Sequence, residues 1–168
     1  MRTLLALTAL LSWTALARAD DAVLQVGGAL PKSGALKLTD LEAMKPVTVT
    51  WTSHEKHEVY GVPLDRILAR FGFEPGVMGK DVPTREKRKG WRMAVRASAP
   101  DGFEAILSCA ELFESMGPTR ALVAWKIDGK PLPADRGPFR LVVLTDKEPS
   151  RSVHSLRKLE VLDLRSPR

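Results

Sequence analysis

The sequence predicts an α+β fold of short strands interrupted by two or three short helices, on three observations. Apolar and polar residues alternate over short stretches, as in Val47-Thr48-Val49-Thr50-Trp51 and again from Trp91 to Ala97. The turn signals Asp101-Gly102 and Asp128-Gly129 separate neighbouring stretches of this kind. Helical spacing shows only briefly, most clearly at Leu64, Ile67, Leu68 and Phe71.

Taken in order, Val23 to Leu30 reads as a strand leading into a Pro31-Lys32-Ser33-Gly34 turn. Thr39 and Glu42 have the spacing of a capping box, and the helix they open ends before Pro46. Val47 to Thr52 is a strand rich in β-branched residues. Ser53 to Glu58 reads as a polar loop, and the helix from Leu64 to Phe71 stops at Gly72. Gly76 to Gly90 reads as loop, with a basic run at Arg85, Lys87, Arg88 and Lys89. Two strands then form a hairpin through Asp101-Gly102, and Ser108 caps a short helix from Cys109 to Ser115. Ala121 to Ile127, Phe139 to Leu144 and Val153 to Leu162 complete the strands. Repeats and low-complexity segments are absent.

Arg2, the apolar run Leu4 to Leu16 and Ala17-Arg18-Ala19 have the order of a cleavable secretory signal. The run is short for a membrane crossing, which takes about 20 apolar residues. An uncleaved anchor is the alternative, and the Ala-x-Ala site argues against it. The expected product is residues 20–168, a single domain of a size that buries roughly two-thirds of its unfolded surface. It is expected in the periplasm or secreted to the medium. The formal charge of +6 falls to +4 once Arg2 and Arg18 are removed. A mildly basic exported chain without an aromatic-basic motif does not suit nucleic acid. Cys109 is the single cysteine, so no disulfide can form within the chain.

Several residues could carry chemistry. His54-Glu55-Lys56-His57-Glu58 has two histidines three apart rather than the four of a zinc-protease helix, and lacks an evident third ligand. A solvated loop is the favoured reading. Cys109, among Leu107, Ala110 and Leu112, reads as a small buried residue rather than a nucleophile. The C-terminal third carries more. Asp135-Arg136-Gly137-Pro138-Phe139-Arg140 is a tight turn feeding an apolar strand, and Arg151-Ser152-Val153-His154 opens the next. If these strand ends are adjacent, arginines, turn amides and a Ser converge on a site for a phosphate or a hydrogen-bonding heterocycle.

Five short motifs occur in a telling order: Tyr60-Gly61-Val62-Pro63-Leu64, Asp101-Gly102-Phe103, Ile127-Asp128-Gly129-Lys130-Pro131-Leu132, Gly137-Pro138-Phe139-Arg140-Leu141-Val142-Val143, and Arg151-Ser152-Val153 with Leu159-Glu160-Val161. Together they resemble the sulfite-oxidase-type molybdopterin-binding domain, from about Leu38 to Leu162. The resemblance implies mixed, partly barrel-like sheets with the pterin held among loops at one end. Pro138 and Arg140 match that family's Pro-x-Arg turn, and Ser152 to Leu156 match the segment that holds the pterin. The match fails at the metal. Catalytic members carry a cysteine shortly after the strand equivalent to Val47–Trp51, where this chain has Thr52-Ser53-His54. Asp135-Arg136 replaces their His-Gly, and His154 replaces their Lys.

A neutral hydroxyl does not substitute for a thiolate on a soft metal. The expectation is therefore an exported protein that binds a pterin or molybdopterin-like ligand without metal. His54, Arg136, Arg140, Arg151, Ser152 and Val153 would form the site. Trp51 or Trp125 could stack on the heterocycle, although a core position is the favoured reading for both. Resemblance to periplasmic pterin-binding proteins further implies a membrane signalling protein as partner. The alternatives are a molybdopterin-dependent oxidoreductase, with Cys109 or no protein thiolate at the metal, and an interaction scaffold without ligand. The signal bears on this choice. Molybdopterin enzymes are exported already folded through the twin-arginine route, whereas the single Arg2 predicts a chain that crosses unfolded and empty.

Overall fold

The computed structural model describes residues 22–74, 90–112 and 121–165. The signal segment, the basic run Arg85–Lys89 and the end of the helix expected after Cys109 lie outside the described residues. Within them the strands are β1 (Leu24–Gly28), β2 (Gly34–Leu36), β3 (Val47–Thr52), β4 (Lys56–Pro63), β5 (Met93–Ser98), β6 (Glu104–Ser108), β7 (Ala121–Ile127), β8 (Lys130–Pro131), β9 (Arg140–Val143) and β10 (Lys158–Asp163). The helices α1 (Leu38–Glu42) and α2 (Leu64–Arg70) interrupt them.

These strands make two sheets. One runs β2-β1-β10-β5-β6, with β1 and β10 parallel and the other pairs antiparallel. The other runs β3-β4-β7-β8, with β9 also paired to β7. The first sheet is mixed, as expected, and the pairings of the second are all antiparallel. Among the described residues neither closes into a barrel, and the two sheets with their few short helices make the expected α+β fold. The main core lies where their apolar faces meet, and includes Leu24, Leu64, Leu68, Val95, Leu107, Val123, Leu141, Val153 and Leu159.

Local chemistry accounts for most elements. At the β7–β8 hairpin, Asp128 (φ 52°) and Gly129 (φ 73°) both take the left-handed conformation that a two-residue turn requires. The Asp128 carboxylate also holds the start of β4, accepting from the Glu58 N–H and lying 2.8 Å from His57 Nδ1. α2 ends as expected, with the Phe71 and Gly72 amides donating back to Leu68 and Ala69.

Three expectations need correction. Lys56 to Glu58 are strand, not loop: they form the exposed start of β4 and pair with Thr50 to Thr52. The N-cap of α1 is Lys37 rather than Thr39: its N–H donates to the carboxylate of Asp40 in the first turn at 2.8 Å, and Thr39 lies inside the helix. The strand expected from Val153 to Leu162 is broken. Ser155 takes φ 48°, and only Lys158–Asp163 joins a sheet.

Candidate functional site

The break before β10 builds the site. Leu141 and Val153 exchange both backbone hydrogen bonds, at 2.9 and 3.0 Å, and the Leu156 N–H donates to Phe139 at 2.8 Å. Residues 152–156 thus run along the free edge of β9. Ser155 ties the same segment to the preceding turn, its N–H donating to the Arg136 carbonyl (2.9 Å) and its hydroxyl to the Asp135 carbonyl (3.2 Å). The strand ends are adjacent.

Side-chain alternation then sorts the residues between two faces. Leu141 and Val153 point into the main core. Arg140, with Val142, points to the other face of the sheet, where Trp51, Val59, Ala124 and Val142 form a second, smaller apolar cluster. The antiparallel register sets His154 opposite Arg140 on that face.

Arg140 is the centre of this cluster. Its guanidinium lies over the Trp51 ring, 4.9 Å from the ring centre. Among the described residues it has no carboxylate partner. Burial, and then the charge of Arg136, pull its pKa down to about 10. His154 is held below its usual range by burial first, then by Arg140 and Arg136, with Asp135 opposing them. Four buried side-chain nitrogens lack a hydrogen-bond partner among the described residues, and three of them belong to Trp51, Arg140 and His154. A buried donor left unmade costs about 1–3 kcal/mol. Trp51 Nε1 and Arg140 Nε are donors and His154 Nδ1 is a donor or an acceptor by tautomer, so this partly buried positive cluster favours a group that accepts hydrogen bonds and carries negative charge.

The other expected residues are engaged elsewhere. Arg151 makes two hydrogen bonds to Asp146, at 2.9 and 2.7 Å, and pairs with Glu111 at 3.4 Å. Those carboxylates raise its pKa, and its charge is already answered. Ser152 is buried, its hydroxyl accepting from the Val143 N–H at 3.4 Å. Val153 is wholly buried, and both of its backbone groups are spent on Leu141. His54 is exposed at the tip of the β3–β4 hairpin, 3.5 Å from Glu148. Of the expected set, the structure brings Arg136 and Arg140 together, and it adds His154. Strand alternation, with Val153 turned into the core and the adjacent His154 turned away from it, would have found His154 in the sequence.

Trp51 and Trp125 are each only 4% exposed. Neither offers a free face, and Trp51 serves as the platform under Arg140. Cys109 is fully buried in the main core, and burial pushes its thiol up to about 12. It is no thiolate at neutral pH. Among the described residues no group of three or more His, Cys, Asp or Glu side chains could hold a metal ion.

The family model for the oxidoreductase molybdopterin binding domain matches residues 55–168, more than half of the chain and the strands around this cluster except β3, which carries Trp51. The chain belongs to that family. Among solved structures, the sulfane dehydrogenase SoxCD from Paracoccus pantotrophus is similar, with a TM-score of 0.64 and 19% identity. That likeness covers 86% of this chain and 39% of the SoxCD chain, so the shared part is the fold of one portion of a longer protein. No curated protein matches. In this molybdopterin-binding domain, the donors around Arg140 suit the anionic and hydrogen-bonding parts of such a cofactor. A thiolate for its metal is not offered beside them, because Cys109 lies in the other core.

Proposed function

We propose that this domain is an exported, non-catalytic binder of a pterin-type ligand whose anionic group is taken by Arg140, Arg136 and His154. One observation carries the reading: Arg140 is a half-buried guanidinium with unmet hydrogen-bonding capacity and no carboxylate among the described residues. A cation in that position costs desolvation that an oxyanion ligand would offset. Ser152 and Val153 contribute by holding their segment along β9 rather than by supplying charge, and His54 and Arg151 stand apart from the site. Export rests on the signal-like residues 1–19, and action with a membrane signalling protein rests on resemblance alone.

Membership of this family is equally compatible with a molybdopterin-dependent oxidoreductase, in which the metal-loaded cofactor would supply redox chemistry. In that reading Arg140, Arg136 and His154 keep the same task, and the protein supplies no thiolate from Cys109. The test is pterin fluorescence quenching on protein purified from the exported fraction, with metal analysis of the same sample. We expect saturable binding that Arg140→Ala weakens by at least about tenfold, the loss of one charge-assisted contact, and no stoichiometric molybdenum. Binding indifferent to Arg140 removes the proposed site. One molybdenum per chain selects the oxidoreductase.

A further inference from the structure

We infer that the cluster around Arg140 takes up a proton at His154 when it takes its anion, so that an oxyanion whose own charge stays fixed binds more tightly as the pH falls. This rests on reading the cluster as a ligand anchor, though not on the ligand being a pterin.

The geometry supplies the coupling. His154 sits on the segment along β9, facing Arg140 of β9, with Arg136 and Asp135 on the adjoining turn and Trp51 of β3 beneath the Arg140 guanidinium. Those are the charged groups that act on it among the described residues. Asp135 cannot answer both arginines, since it is 75% exposed and lies 3.7 Å from Arg136 Nε. His154 Nδ1 is buried without a partner. With two guanidiniums as neighbours, the empty site favours a neutral imidazole. An oxyanion seated among the three groups offsets the positive charge that the two guanidiniums place beside the imidazole. It also gives the second ring N–H an acceptor, which only the protonated imidazole can use in full. Binding and protonation therefore reinforce each other, and by linkage each strengthens the other equally.

Sulfate is the probe, because it stays a dianion across the range and contributes no titration of its own. Calorimetry near pH 6.5, in two buffers of different ionisation enthalpy, counts the protons taken up on binding. We expect a fraction of one proton per sulfate, and affinity about tenfold higher near pH 5.5 than near pH 8, the effect of a one-unit rise in one pKa. His154→Gln loses the proton uptake and the low-pH gain in affinity, so that its sulfate binding near pH 5.5 is no tighter than near pH 8, while Arg140→Ala loses the binding. With three histidines in the chain, the His154 ring resonances can be assigned by mutation and should titrate higher with sulfate present. Absence of sulfate binding, zero uptake in the wild type, or uptake unchanged in His154→Gln each overturns the inference. Arg140-dependent pterin binding without proton uptake would remove this inference and leave the proposed function standing. Sulfate uptake through His154 without any pterin binding would do the reverse.

Discussion

Arg140 and Arg151 lie eleven positions apart on neighbouring segments, and their surroundings give the same side chain opposite tasks. Arg151 is enclosed by Asp146 and Glu111, which hold it charged and fix the turn that carries it. Arg140 has an aromatic ring below it, another arginine nearby and no carboxylate among the described residues. The first is a structural ion pair, the second a charge awaiting a partner. Arg151→Ala should therefore lower stability rather than affinity. Asp146 would lose its bidentate partner, and for a pair this exposed the cost is about 1 kcal/mol. In a domain of this size that is a fall in Tm of roughly 2–4 °C. Sulfate and pterin affinity should stay within about twofold, as expected for sites that share no partner. Thermal melting and a binding titration on the same variant check both halves. A tenfold loss of affinity with unchanged Tm would move the site to the Arg151 side.

At the scale of elements, the Tyr60-Gly61-Val62-Pro63 motif has a mechanical explanation. The pairing of β4 with β7 shifts register between Tyr60 and Gly61. There the chains approach so closely that a Cβ on Gly61 would lie 2.3 Å from the Val123 carbonyl oxygen and 2.7 Å from Ala124 Cα. Both obstacles are backbone and cannot turn aside. Gly61→Ala should push β4 from β7, the strand that carries β9 and Arg140 on its other edge, at a cost of about 2–3 kcal/mol. Chemical denaturation would measure it, and a loss under about 0.5 kcal/mol would show that the sheet yields more easily than this contact implies. Elements of this kind were legible where one pattern governed them. Ala121 to Ile127 is a continuous apolar run broken only by Lys126, and Asp128-Gly129 admits few conformations besides a tight turn. Lys56 to Glu58 was not legible, because an exposed edge of a strand carries the composition of a loop. Nor was the break before β10, since a serine in the left-handed conformation leaves no mark on an apolar pattern. At the site, the nearness of Arg136 and Arg140 followed from their spacing around Pro138. The diversion of Arg151 did not, because one of its two partners, Glu111, comes from forty residues away.

For the molecule as a whole, these local charges set how stability responds to pH, and the response should have two steps. His154 is held below its ordinary value of 6.5 in the folded chain. Between its folded value and 6.5, the unfolded chain therefore binds more protons than the folded one, and stability falls as pH falls through that window. Asp128, drawn down by His57 and the Glu58 amide, and Glu160, drawn down by Arg96 and Lys158, act in the same direction at lower pH. Their contributions are present above the ordinary carboxylate values of 3.8 and 4.5 and are lost as pH falls through the folded ones. The first step belongs to the site and the second to the sheets, so a ligand should separate them. In buffer without oxyanions, Tm should fall by roughly 2–4 °C between about pH 7.5 and pH 5, and more steeply below about pH 4. Sulfate should remove or invert the first fall, because the anion makes protonated His154 the favoured form, and should leave the second in place. His154→Gln should abolish the first fall in either buffer. If His154→Gln melts with the same pH dependence as the wild type, the loss near neutrality arises elsewhere in the molecule, and His154 does not couple the site to the fold.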